Sequence, residues 1–285
     1  MKTFTKVWLG IGLLAIMFGI GLLILTAASG ATWRDIPTYS VKEGYDNVKS
    51  LDIQIGYGEV YIEEGDEFFI NAEQLMEDDG FESYVTEEGT WVIDEPGNNN
   101  NFNLFGMRFP VRQLFQWNDD NLAPKIVITV PKGFIAREVS IDIAAGILET
   151  DVIRAEEGTF SVEAGEMKIN QLQVTGKSQY SVGAGYMKLD GVNANNITVD
   201  CNMGNIEIDG AITGDNYISC GVGNIGMDLY GSEKDYSYEV ESGIGNVSID
   251  GEEYHNIGGR KIGNGDAVNS FSLDCGIGKI SVDFH

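Results

Sequence analysis

A glycine recurs in this chain at nearly constant spacing, and no other feature narrows the possible folds so far. Gly58, Gly146, Gly165, Gly185, Gly204, Gly223, Gly245 and Gly278 fall in one register; from Gly146 onward the intervals are 19, 20, 19, 19, 22 and 33 residues, with 88 between the first two. A fixed period of this length is the mark of a solenoid, in which each repeat buries its apolar face only against its neighbours. Five residues before the glycine stand Ile53, Ile141, Phe160, Tyr180, Val199, Ile218, Val240 and Leu273. Two after it stand Val60, Leu148, Met167, Met187, Ile206, Ile225, Val247 and Ile280. Apolar and polar residues alternate at period two on both sides, so each repeat reads as strand, glycine corner, strand. Residues seven and nine after the glycine (Ile153 and Ala155, Leu172 and Val174, Val192 and Ala194, Ala211 and Thr213) supply a short third face. The expected fold is all-β, a parallel β-helix of about 19–20 residues per coil with ~4.8 Å between rungs, and the crossover rule for parallel strands favours right-handed coiling.

The glycine pairs Gly56 and Gly58, Gly183 and Gly185, and Gly221 and Gly223 superficially match a nucleotide-binding loop. They recur once per coil with no helix behind them, and a phosphate loop needs that helix terminus, so they are corners. Three before the corner glycine, the inward column contains Val182, Cys201, Cys220 and Cys275. The cysteines are therefore core residues; stacked parallel strands aim both Cβ atoms the same way, which suits free thiols better than a Cys201–Cys220 disulfide.

Five after the glycine the column reads Glu63, Asp151, Asn170, Asp190, Asp209, Asp228, Asp250 and Asp283. Carboxylates at rung spacing repel unless something offsets the charge. Calcium or another divalent cation on Asp190, Asp209, Asp228 and Asp250 is one answer. The other, which is the expectation, is that each Asp ends a strand and accepts hydrogen bonds from the next turn's backbone, so that no cofactor is needed. Asn205, Asn224 and Asn246 share a column suited to an amide ladder, and Glu149, Lys168, Lys188 and Glu207 share one suited to a charge ladder.

Composition removes other functions. With 18 Lys plus Arg against 44 Asp plus Glu the formal charge is −26, which leaves no basic surface for nucleic acid. Two histidines, His255 and His285, are too few for a histidine-based triad or a multi-histidine zinc site.

Residues 1–6 carry Lys2 and Lys6 and precede an uncharged stretch; residues 7–28 are long and apolar enough to span a bilayer. Cations before the span and acids after it orient residues 1–6 to the cytoplasm and place everything beyond the span outside. The expected organisation is a signal anchor over 7–28, a linker over 29–47 and an extracytoplasmic domain over 48–285, interrupted at about 64–125 and 252–269. Cleavage after the small residues Ala27 to Ala31, giving a secreted protein, is the alternative.

The first insertion contains strand-like runs at Phe68 to Ala72, Tyr84 to Thr86 and Thr90 to Ile93, then an aromatic run over 102–117 with two arginines and no acid. Pro110 suits the first turn of a short helix. Phe102, Phe105, Arg108, Phe109, Arg112, Phe115 and Trp117 either cap the solenoid or dock on lipid headgroups or a partner protein. The second insertion, with His255, reads as a surface loop.

The segment Ile126 to Gly133 (IVITVPKG) and the coils GNIEIDG (204–210) and GNVSIDG (245–251) resemble bacterial putative-adhesin domains built of β-strand repeats, over 126–285 and one coil at 51–63. The resemblance implies an exported or membrane-anchored domain, related in part to cell-envelope stress systems, and brings no catalytic residue. The reading is a non-enzymatic binding or sensing module, anchored in the cell membrane, whose partner is an envelope protein, lipid or polysaccharide. A surface adhesin or spacer and a carbohydrate-active β-helix enzyme are the alternatives.

Overall fold

The computed structural model describes residues 38–76, 80–96, 101–104, 107–110, 123–255 and 260–285. The chain is all-β over these residues, apart from a single 3-10 turn at Glu233–Asp235. No helix among them is long and apolar enough to cross a membrane, and the proposed span 7–28 lies outside the described residues.

The repeat folds as a β-solenoid, each coil named here by its corner glycine. The Gly58 coil (Ser50–Ile55 and Gly58–Gly65) pairs in parallel with the Gly146 coil (Ala136–Thr150), Ile53 beside Ile141 and Gly58 beside Gly146. The Gly165 coil follows, then Gly185, Gly204 and Gly223, all in parallel register. The two inward columns seal the centre: none of the eight residues five before the glycine, nor the eight residues two after it, is more than 1% exposed. Each such side chain contributes on the order of 1.5–3 kcal/mol by leaving water. Phe160 and Tyr180 continue the regularity as rings stacked 5.3 Å apart at 7° on consecutive coils.

The third face forms where expected at Ile153, Leu172 and Val192, with a one-residue correction beyond it. Register shifts after Leu189, so Val192 pairs with Gly210 and Ala194 with Ile212. Asp190 and Gly191, the latter at φ +55°, supply the extra residue of a bulge. Ile212, fully buried, is therefore the inward residue rather than Ala211 or Thr213.

The larger correction concerns the order of stacking. The last strand, Asn269–Phe284, pairs along its length with Asp215–Leu229, Cys220 beside Cys275 and Gly223 beside Gly278. Its other edge pairs with Tyr236–Ser242 and Asn246–Ile249, which form the Gly245 coil. The Gly278 coil thus lies inside the rod, and the coil that precedes it in sequence lies at the end. The opposite end repeats the device: Thr90–Glu95, from within the first insertion, and Lys125–Pro131, which follows it, stack outside the Gly58 coil as an additional rung.

Antiparallel strands close both ends. Phe68–Met76 pairs with Lys125–Pro131 on one side and Thr38–Tyr45 on the other, and Glu82–Val85 pairs with Thr90–Glu95. At the far end Glu252–His255 covers Asn246–Ile249, and Arg260–Gly263 covers Tyr236–Ser242. Reversing direction ends the parallel template, and exposed charges on these outer strands discourage further pairing. The domain consequently begins by Thr38, inside the segment read as linker, and the second insertion contains the two paired strands Glu252–His255 and Arg260–Gly263, with His255 in a strand rather than a loop. Trp91, fully buried, anchors the first cap: its ring meets Tyr45 at 5.0 Å and Phe68 at 6.1 Å, and its Nε1–H donates to Ser83 Oγ at 3.1 Å.

Candidate functional site

With the interior filled, the chemistry lies on the outer faces, where one residue type per column repeats at rung spacing. The carboxylate file is real and contiguous: Asp209 pairs with Asp228, and Asp228 with Asp283. Asp190 precedes them at the bulge, and Asp250, at φ +45° and exposed, lies beyond Asp283 on the end coil. An open groove runs along the file between Lys188, Glu207 and Ser281, because Gly226 leaves the intervening position without a side chain.

The donors are not those expected. Instead of backbone from the next turn, the file uses side chains: Lys188 Nζ reaches Asp190 Oδ2 at 2.7 Å, and the Tyr230 hydroxyl donates to Asp209 Oδ1 at 3.1 Å. His285 Nδ1 lies 2.6 Å from Asp228 Oδ1, and Ser281 Oγ donates to Asp283 Oδ2 at 2.9 Å. One coil set earlier, Asn170 Nδ2 donates to Asp151 Oδ1 at 3.1 Å. These bonds hold the Lys188 ammonium and the Tyr230 phenol above their ordinary pKa values, in each case chiefly through the bonded carboxylate. Tyr186, pushed up first by burial, donates to Glu207 Oε2 at 2.7 Å. The contributions of Tyr186, Tyr230 and His285 were missed in the sequence; Tyr230 and His285 each stand seven residues after a corner glycine, the only signal that would have found them. Among the described residues no group of three or more His, Cys, Asp or Glu side chains is placed to hold a metal ion. Of the four cation candidates, Asp190, Asp209 and Asp228 each hold a neighbouring side chain, and Asp250 stands exposed at the end of the file.

The neighbouring columns divide. Glu149, Lys168, Lys188 and Glu207 stack as expected, with Lys168 Nζ 2.9 Å from Glu166 and 3.6 Å from Glu149. The amide ladder is interrupted: Asn224 Nδ2 donates to Asn205 Oδ1 at 2.9 Å, but the interleaved strand puts Lys279 between Asn224 and Asn246. The three cysteines are free and buried, and Cys220 lies between Cys201 and Cys275. Contact with the Cys201 thiol and burial push Cys220 up, which keeps the centre of the file in its neutral form.

Asp200, between Ser181 and Ser219 on the face before the corner, is held above the usual carboxylate range by burial. A raised folded-state pKa is a stabilising contribution present at low pH and lost as pH rises through that pKa. Asp200→Asn is therefore expected to raise the melting temperature at pH 7 and leave it unchanged at pH 3, as read by thermal unfolding at the two pH values.

The aromatic run divides along the description of the chain. Phe102, Arg108 and Phe109 lie on two short strands, Asn101–Leu104 and Met107–Pro110, which pair antiparallel with each other as a separate two-stranded sheet. Pro110 is the last residue of its strand, and the short helix expected after it falls outside the described residues. Phe105, Arg112, Phe115 and Trp117 lie outside the described residues.

A search of curated proteins found no match. Solved structures give several similarities of low score. One is the "putative cell adhesion protein" of Clostridium sporogenes, at 15% identity, covering 87% of this chain and 100% of its own, with a TM-score of 0.39. Another is the "putative adhesin" of Bacteroides fragilis, at 12% identity, 86% and 96% coverage and a TM-score of 0.43. A third, from Parabacteroides merdae, has 10% identity, 86% and 95% coverage and a TM-score of 0.32. None of these supports a functional argument. The family model does more: Toastrack DUF4097 matches residues 48–266, from the first coil through the first interruption and into the second. On that match, together with stacked glycine-cornered coils, the chain belongs to the Toastrack DUF4097 family.

Proposed function

We propose that this protein is a non-catalytic binding or sensing module of the cell envelope: an extracytoplasmic, right-handed β-helix held at the membrane by a helix over residues 7–28. The observation that carries the reading is the distribution of chemistry in the fold. The core is packed with apolar side chains, and the polar groups stand in files on outer faces, where most carboxylates of the candidate file already hold a neighbouring donor. Such files match an extended partner surface better than a single reacting bond. The membrane span and the orientation rest on the uncharged stretch after Lys6.

For the aromatic run, docking is the better supported of its two roles, because other strands already supply the cap: Phe68–Met76 and Glu82–Val85 cover the end of the rod around Trp91. Replacing Phe105, Phe109 and Trp117 together by Ser in the full chain is expected to leave the melting temperature unchanged and to abolish recovery of an envelope component in a pull-down. A large fall in melting temperature assigns the run to the cap instead; unchanged recovery removes it as a docking surface.

A further inference from the structure

Along one edge of the rod, immediately before the corner glycine, the fold accepts alanine: Ala145, Ala164 and Ala184 fill that position in three successive coils. In the next four coils as they stack in space, the same position carries Met203, Val222, Ile277 and Ile244. These large apolar side chains are 50%, 45%, 51% and 84% exposed. Since alanine satisfies the corner, stacking does not call for them, and at ~4.8 Å per rung they make a continuous apolar ridge about 15 Å long. Exposed glycines Gly221, Gly276 and Gly243 stand beside three of them, so the strip next to the ridge carries no side chains.

The charge pattern identifies the occupant. The four corner segments, 202–205, 221–224, 276–279 and 243–246, contain no acid and one cation, Lys279. The same corner elsewhere carries Glu59, Glu163 and Glu166. Two copies of a chain at −26 repel over most of their surface, and this seam is where they can meet without opposing carboxylates. A two-fold axis across this edge lays each ridge over the strip of the other copy that carries no side chains.

We infer that the edge carrying Met203, Val222, Ile277 and Ile244 is a pairing surface for a second copy of this chain. The patch is small beside the roughly 1,200–2,000 Å² of a stable complex, so pairing is weak and depends on crowding of the copies. This goes beyond the binding reading above, which names no self-contact and stands or falls on its own pull-down.

The test uses the full chain in the cells that make it, with two copies bearing different epitope tags and a thiol-specific bifunctional cross-linker. Cys201, Cys220 and Cys275 are buried and serve as an unreactive background. Val222→Cys is expected to yield a species carrying both tags, about tenfold more than Tyr217→Cys, an exposed position on the preceding strand face of the same coil. Adding Ile244→Asp, at a side chain with almost no burial to lose, is expected to abolish that species without changing the melting temperature. Equal yields from Val222→Cys and Tyr217→Cys, cross-linked species with only one tag, or a yield insensitive to Ile244→Asp would each overturn the inference.

Discussion

Gly223→Ala is expected to destabilise the domain by roughly 3 kcal/mol or more, while Gly226→Ala, three residues along the same strand, is expected to be neutral or stabilising by up to about 1 kcal/mol. Gly223 has φ +151°, and a Cβ there would fall inside the contact distance of the Gly204 carbonyl oxygen on the neighbouring coil. That oxygen is backbone held by the ladder, so no side-chain rotation relieves the overlap. The coil must either move away from its neighbour, losing hydrogen bonds on both edges, or tilt its inward residues out of line. Gly226 faces solvent with nothing within 4 Å of its hypothetical Cβ. Urea unfolding of the two variants provides the measurement. Similar midpoints would mean that the corner does not require glycine and would remove the physical basis of the repeat.

Truncation after Val268 is expected to disorder residues 236–263 while leaving the coils from Gly58 through Gly223 folded. In a solenoid stacked in chain order, removing the last strand merely shortens the rod. Here it removes an interior layer whose Phe271, Leu273, Cys275, Ile280 and Val282 are each at most 1% exposed. At about 1.5–3 kcal/mol per large apolar side chain the loss is on the order of 10 kcal/mol, comparable to the whole stability of a typical domain. The Gly245 coil and its two covering strands then have no parallel partner, since this strand supplies all their parallel pairing and, among the described residues, only the hydrogen bond from the Tyr236 hydroxyl to the Ile212 carbonyl is left to the rest of the rod. Hydrogen exchange should show protection lost over 236–263 and retained over 139–229. Retained protection over 236–263 would contradict the interleaved order.

Much of this architecture was legible in the sequence because a coil imposes two periods at once. Alternation identified Ile53 or Leu273 as inward, and the interval of about 19 residues identified Val182, Cys201 and Cys220 as one file; the registers agree with both. What the period does not encode is which coil lies on which. The Gly245 and Gly278 coils satisfy the same pattern, so their exchange in space leaves no trace in hydropathy, although it decides that Cys275, not Ser242, meets Cys220. Thr90–Glu95 and Lys125–Pro131 belong to one rung but are separated by the aromatic run, so no fixed interval joins them. The bulge at Asp190 and Gly191 moved the inward position from Ala211 to Ile212 through a single added residue, below what spacing alone resolves. At the carboxylate file the sequence placed the acids correctly but not their donors, since Tyr230 and His285 stand in the column where earlier coils carry the buried Ile153, Leu172 and Val192.

The interleaved strand Asn269–Phe284 also determines when the far end of the rod can form. A chain emerging from its N-terminus releases residues 236–263 before the layer on which they must rest exists, and that layer is supplied by Asn269–Phe284. Until the last of these residues is free, the far end of the rod presents an open parallel edge on Asp215–Leu229. Loss of Asn269–Phe284, by a nick or a stop before it, therefore leaves that edge as a ready substrate for proteases.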